Sequence, residues 1–372
     1  MIKVLVFGMT ETPGGVESVI MNYYRHIDRT RIQFDFLCNS YEKVAYEAEL
    51  LALGGHTFHF PARSKNYPRY RLELKCFFRE HAAEYAVIWV NICSLANIDY
   101  LKLAAQYGIP KRIIHSHSSA NMDGRLRGLL HQHNKKQIGR FATDFWACSA
   151  EAAGWFYPSE ICSQAVILHN AIDVQCMAYD ENGRENIRRQ LGWQNQFVIG
   201  NIGRLHFEKN QRFALEVMAA LVRKDRSVRL VLVGQGEDES ELREQIFRKG
   251  LQEYVYMAGV QSNIRDWLSS FDLFLFPSVF EGLPVAAMEA QANGVPVLAS
   301  EDVIPDEVRM NKNIKMLSLQ QPPEIWAEAV CEMKEWFVRE NPEDIWEHFI
   351  QSGYEIEHVK DEFEQRILGE KA

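Results

Sequence analysis

The sequence predicts an α/β protein made of two parallel-sheet domains in succession. Three observations predict it. Short apolar runs alternate with helix-patterned segments along the 372 residues, and that alternation implies parallel strands joined by right-handed crossovers. The runs form two series, separated by a polar stretch after Asp173 that includes DENGRE at 180–185. The length itself suits two domains of ordinary size.

In the first series the expected strands are 2–8, 32–38, 57–60, 86–91, 112–117, 144–149 and 165–170. In the second they are 197–203, 228–234, 255–259, 273–278 and 296–300. Most are short runs of Val, Ile, Leu and Phe, the pattern of strands covered on both faces. The stretch 345–368 reads as helical, with Trp346, Phe349, Ile350, Tyr354, Ile356, Val359, Phe363 and Ile367 as its apolar positions. Gly353 marks a break in it. No low-complexity segment or short internal repeat is visible.

Composition narrows the function. An apolar content of 47% is enough for real cores. No run of 18 apolar residues occurs, so no membrane-spanning helix is expected. The N-terminus enters a strand at once, so no signal peptide is expected. Seven cysteines stand singly, with no CxxC, which reads as reduced thiols in a cytoplasm. Net charge is −9, divided as +3 over residues 1–173 and −12 over 174–372. The acidic half argues against nucleic acid as a partner. The basic half suits an anionic lipid surface or a phosphorylated acceptor, or is ordinary variation between domains.

The densest motif is FPSVFEGLPVAAME at 276–289. A strand end, a tight loop and a helix start converge there, the place where open α/β sheets bind ligands. Glu281 lies in the loop and Glu289 in the second turn of the helix started near Pro284. Two carboxylates able to hold hydroxyls thus flank a helix N-terminus able to hold phosphate. A second motif, NIGRLHFEKN at 201–210, ends a strand at Gly203 and supplies Arg204 and Lys209. Arg offers a planar fork and Lys a point charge for a diphosphate. The plainer alternative is a solvated loop in which these cations pair with Glu208.

Gly14 and Gly15 follow the first strand and precede a helix starting near Val16, so the backbone there can approach a ligand closely. The full GxGxxG of a dinucleotide site is missing. His115 and His117 end the strand 112–117, and alternation puts both on one face with Ser116 on the other. A second HxH, His131 and His133, raises a zinc reading. Those two fall on a predicted helix, where positions i and i+2 do not share a face. No Asp-x-Asp occurs either, and no metal site is expected. The segment 125–140, RLRGLLHQHNKKQIGR, is basic with Leu126, Leu129, Leu130 and Ile138 as apolar positions. It reads either as an interfacial helix or as an ordinary surface helix.

The pairing of GRxxxxKN with FEGLPxxxxE resembles the retaining glycosyltransferases of family 4, which have the GT-B fold. The likeness extends to MIKVLVFG at 1–8, GGVE at 14–17, RIIHSH at 112–117 and HNAID at 169–173, nearly the whole chain. The details are most similar to the bacterial branch that builds capsular and exopolysaccharides. This resemblance implies two Rossmann-like domains facing across a cleft, with the last helix crossing back. The boundaries become 1–173 plus 354–372 for an acceptor domain and 174–353 for a nucleotide-sugar donor domain.

By the same resemblance His117, Arg204, Lys209 and Glu281 are the catalytic candidates. Gly14, Gly15, Gly203, Gly282, Leu283 and Glu289 are the donor-binding ones. Glu289 would hold the ribose, Glu281 the transferred sugar, His117 the donor sugar, and the backbone N–H groups of Gly282 and Leu283 the phosphates. No cofactor or metal is implied for the chemical step. A UDP-sugar is the implied donor and a glycan or lipid-diphosphate-linked molecule the implied acceptor. The protein would be cytoplasmic, with peripheral contact at the inner membrane leaflet. Two other readings stay open: an inactive nucleotide-sugar-binding partner subunit, and an NAD-dependent oxidoreductase that the absent GxGxxG disfavours.

Overall fold

The structure is a computed structural model that describes residues 1–118, 124–281 and 283–370. It divides into two compact units, Met1–Ala171 with Ile356–Ala372, and Ile172–Glu355. Each is built on one wholly parallel sheet. The first unit has β1 (Ile2–Phe7), β2 (Ile32–Cys38), β3 (Thr57–His59), β4 (Val87–Ile92), β5 (Lys111–Ser116), β6 (Asp144–Ala147) and β7 (Val166–Ile167). Their spatial order is β3-β2-β1-β4-β5-β6-β7. The second has β8 (Phe197–Ile202), β9 (Val228–Val233), β10 (Val255–Gly259), β11 (Leu273–Phe276), β12 (Val297–Ser300) and β13 (Ile314–Leu317). Their order is β10-β9-β8-β11-β12-β13. Both orders reverse direction once, between β1 and β4 and between β8 and β11, and helices fill the crossovers. These are two Rossmann-like α/β domains.

Alternation along the central strands explains the two-sided cores. In β1, Val4 and Val6 join one apolar cluster while Leu5 joins the other. In β11, Phe274 and Phe276 face one side and Leu273 and Leu275 the other. All seven side chains are buried, so neither face of either strand reaches water.

Two elements depart from the sequence reading. The strand expected at 165–170 pairs only over Val166–Ile167, at the sheet edge. The chain then leaves the sheet, with Leu168 N–H still bonded to the Ala147 carbonyl at 2.9 Å. At the far edge of the other sheet, Ile314–Leu317 pairs with β12, a strand not anticipated.

The C-terminal helical stretch breaks where a glycine can break it. Helices cover Pro342–Gln351 and Ile356–Leu368, with Gly353 between them at φ +72. The second of these helices belongs to the first unit. Its Phe363 ring stacks on Tyr23 at 4.3 Å. Glu364 Oε1 accepts the Asp28 N–H at 2.7 Å, and the Arg366 carbonyl accepts from Lys111 Nζ.

Candidate functional site

The sequence-derived candidates fall into one group in each unit, both at strand C-termini beside the point of reversal. In the second unit the loops after β8 and β11 are tied together. Val279 N–H donates to the Glu208 carbonyl at 2.7 Å. Lys209 Nζ then reaches Glu281, with both carboxylate oxygens at 2.7 Å. The ammonium also lies 5.4 Å from the centre of the Phe276 ring. The Glu281 side chain is only 7% exposed and that of Lys209 21%. An ion pair this sheltered is screened less than a surface pair. The carboxylate therefore has a strong hold on the cation.

The alternative pairing with Glu208 is not what forms. Glu208 instead lies 3.6 Å from His206 Nδ1. Arg204 is exposed. Among the described residues it has no carboxylate within ion-pair distance. Its guanidinium is therefore the available anion-binding fork beside a neutralised pair.

The loop that carries Arg204 is held by groups the sequence reading did not single out. Gln211 Nε2 donates to the Arg204 carbonyl at 3.1 Å and to Asn201 Oδ1 at 3.3 Å. Asn201 Nδ2 in turn donates to the Leu275 carbonyl at 2.9 Å, linking β8 to β11. Gly203 N–H bonds to the Val233 carbonyl and Leu205 N–H to the Gln235 carbonyl, each at 3.0 Å. The loop after β9 approaches so closely that only glycine fits there. A Cβ on Gly234, at φ +132, would lie 2.1 Å from the Gly203 carbonyl oxygen, and one on Gly236 would lie 2.2 Å from that of Leu205. The signal was present as Gly-Gln-Gly after a strand, but nothing in one sequence says which backbone those glycines must admit.

The helix after β11 covers Val285–Asn293, with Pro284 as its N-cap rather than its first residue. Glu289 is half-buried in its second turn. Leu283 is half-buried and packs on the core. Among the described residues its N–H has no acceptor. Gly282 lies outside the described residues.

In the first unit Gly14 is the N-cap of the helix Gly15–His26, and both glycines are exposed. The loop before them is closed by Glu17. Thr10 Oγ1 donates to Glu17 Oε1 at 2.5 Å, and Glu17 itself is buried. That burial pushes the carboxyl above its ordinary value, against hydrogen bonds from the Thr10 side chain and from backbone groups that pull it down.

His115 and His117 share a face, with ring centres 4.1 Å apart, and both are buried. Burial pushes His117 down to about 3 and His115 well below its ordinary value, the neighbouring histidine adding to the latter. Both imidazoles are therefore neutral across the physiological range. His117 Nε2 lies 2.9 Å from Asn91 Oδ1. Asn91, at the end of β4, was not foreseen as a site residue.

The remaining motifs separate. His131 is buried and stacks on Trp155 at 4.4 Å, whereas His133 is exposed on the same helix. Among the described residues no group of three His, Cys, Asp or Glu is placed to hold a metal ion. The helix Arg125–Lys135 leaves Leu126 72% and Leu129 68% exposed. No described helix is long and apolar enough to cross a membrane.

Comparison with known proteins bears on both units. The family described as Glycosyl transferases group 1 matches residues 196–335. EpsF of Bacillus subtilis (strain 168), named as a glycosyltransferase, is 31% identical over 331 residues, covering 86% of this chain and 84% of its own. The capsular polysaccharide biosynthesis glycosyltransferase CapH of Staphylococcus aureus is 27% identical over 153 residues, 40% of this chain and 41% of that one. Among solved structures, Anabaena Alr3699/HepE in complex with UDP and glucose superposes with a TM-score of 0.80 at 18% identity, over 99% of this chain and 100% of that chain. At that identity the likeness shows the fold, which is GT-B, and nothing finer.

Proposed function

Because this chain belongs to the group 1 glycosyltransferases, enzymes of class EC 2.4, we propose that it moves a sugar from a UDP-sugar to a glycan or lipid-diphosphate-linked acceptor. The process would be capsule or exopolysaccharide assembly, and the anomeric configuration would be retained. Family membership displaces the oxidoreductase alternative. CapH in capsular polysaccharide synthesis and HepE with UDP and glucose support the pathway class and the donor.

The observation that carries the reading is the Lys209–Glu281 pair beside the unpaired Arg204. In the proposed reaction the leaving group is a nucleoside diphosphate, and negative charge grows on its phosphate oxygen as the glycosidic bond breaks. Arg204 and Lys209 stabilise that charge, with the Leu283 N–H and, by motif, that of Gly282. As phosphate draws Lys209 away, Glu281 is released to accept hydrogen bonds from hydroxyls of the transferred sugar. Glu289 holds the ribose. The unit Ile172–Glu355 is thus the donor domain.

The first unit holds the acceptor, with His117 and the Gly14–Gly15 loop as its substrate-contacting candidates. The acceptor oxygen attacks from the side of departure and its proton passes to the leaving phosphate. No protein nucleophile and no metal ion takes part.

A thermal-shift screen against UDP, GDP and ADP tests the donor. Saturation to 100 times Kd adds about 2.7 kcal/mol of stability, and stabilisation by the uridine series is expected. Proton NMR of the fresh product tests stereochemistry. An inverted anomer would refute retention.

The helix Arg125–Lys135 supports a peripheral contact with an anionic bilayer. Leu126, Leu129 and Leu130 are exposed alongside Arg125, Lys136 and Arg140. Flotation with phosphatidylglycerol vesicles is expected to carry the protein upward. A Leu126→Glu/Leu129→Glu variant is expected to stay below.

A further inference from the structure

The ends of three adjacent strands in the first unit meet at Asn91. The order β1-β4-β5 puts Gly8, Asn91 and His117 side by side at those ends. Asn91 stands opposite His115 in register, and His117 N–H bonds to the Ile92 carbonyl at 3.2 Å. Gly8 leaves the room that Asn91 needs. A Cβ there would lie 2.8 Å from Asn91 Cβ and 3.0 Å from the Asn91 carbonyl oxygen, at a φ of +144.

The Asn91 amide has one orientation that satisfies it. Nδ2 faces the carbonyl oxygens of Phe7 at 3.3 Å and Trp89 at 3.5 Å. Those oxygens only accept, so the NH2 end must point to them and Oδ1 must point to His117. Oδ1 also only accepts. The imidazole nitrogen opposite it, Nε2, must therefore carry the proton. In a neutral ring that leaves Nδ1 as a bare acceptor. Nδ1 is buried and has no partner among the described residues. His115 does not supply one, since both its ring nitrogens are likewise buried and unpartnered.

We propose that Asn91 is a positioning residue for glycosyl transfer: it fixes His117 as the Nε2–H tautomer, so that Nδ1 is held ready to accept a hydrogen bond from a hydroxyl of the sugar substrate. The inference rests on His117 being part of the active site, as set out under the proposed function. It adds what that site recognises, a hydroxyl that donates rather than an oxygen that accepts. It also assigns the residue that decides this. A sugar lacking the donating hydroxyl, or bearing a methyl ether there, loses the interaction.

The test reads the proton directly. Nitrogen-15 labelled histidine and two-bond nitrogen–proton correlation spectra give the state of each ring nitrogen, with His117→Gln used to assign the His117 signals. The wild type is expected to show Nε2 protonated and Nδ1 bare. Asn91→Leu fills similar space without the acceptor. It is expected to lose that signature and to lower kcat on the order of a hundredfold, with stabilisation by UDP unchanged. Asn91→Asp, protonated in this buried position on the oxygen that faces the Phe7 and Trp89 carbonyls, keeps a donor there and an acceptor opposite Nε2, and is expected to recover the signature and most of kcat. It also serves if the leucine variant does not fold. A wild-type proton on Nδ1 overturns the proposal, as does an Asn91→Leu variant that keeps signature and turnover. Normal turnover in His117→Gln, with the wild-type signature as expected, overturns the active-site reading and the proposal with it. A reversed signature with a slow His117→Gln overturns the proposal alone.

Discussion

In the second unit the loops at the sheet reversal carry charge: an ammonium on a carboxylate and a guanidinium open to solvent. In the first unit the C-terminal side of the sheet carries buried groups that burial drives away from charge, Glu17 of the helix after β1 upward and His115 and His117 at the end of β5 downward. Two sheets of the same construction therefore present opposite chemistry at their strand C-termini. Charged groups near water suit a ligand that brings its own charge, as a diphosphate does. Neutral imidazoles in a sheltered site suit hydroxyls, where direction matters more than field strength. The difference teaches that the fold supplies the place and the side chains at the strand ends supply the task.

The sharpest way to break that contrast is to remove charge from the second unit. Arg204→Ala or Lys209→Ala is expected to lower kcat by about 10²–10³, or about 2.7–4 kcal/mol, read by single-turnover transfer. A near-normal rate in either would end the assignment of leaving-group stabilisation to this cluster. For Lys209→Ala a stability loss is also expected, because a sheltered Glu281 is left without its cation.

Next in size is the backbone that holds the charged loop. Gly234→Ala is expected to cost about 2–3 kcal/mol in urea unfolding, since its Cβ would meet the Gly203 oxygen and its φ disfavours a side chain. A neutral substitution would mean the loops after β8 and β9 can part freely.

The smallest effect is a pH slope from the first unit. Burial raises the folded-state value of Glu17 above its ordinary 4.5. The folded state then binds the proton more tightly, so stability is lost as pH rises from about 4.5 through the folded value. Glu17→Gln is expected to remove that loss, read as the difference from wild type in unfolding free energy at pH 4.5 and 7. The histidines act on the other limb. With His117 lowered from 6.5 to about 3, the unfolded chain takes the proton first and stability falls as pH drops below about 6.5.

Much of the fold was legible because the central strands are buried on both faces and their apolar runs have no other reading. The edges were less so. Ile314–Leu317 is a four-residue strand whose side chains are all half-buried, and it follows an Asn- and Lys-rich stretch that reads as loop. Residues 168–170 look like strand, but β6 ends at Ala147 and offers them only the hydrogen bond to the Leu168 N–H.

At the site, Lys209 and Glu281 stand 72 residues apart, yet both were suggested by their own local strand–loop–helix context. Asn91 had no such context. An asparagine inside WVNI reads as one polar interruption of a strand, and its meaning depends on a histidine 26 residues away. Gly234 and Gly236 failed to stand out for the same reason: the backbone they admit comes from another loop.

The return of the helix Ile356–Leu368 to the first unit has a consequence for synthesis. Its Phe363 covers the aromatic face made by Tyr23, Phe34, Trp89 and Trp146. On the ribosome that face is translated before the second unit and its cover only after it. The N-terminal domain therefore cannot finish folding ahead of the C-terminal one, as successive domains usually do. A nascent chain stalled before Ile356 would hold an open aromatic surface, a ready target for chaperones and for aggregation. Truncation within Ile356–Leu368 would damage a domain otherwise translated before the second unit.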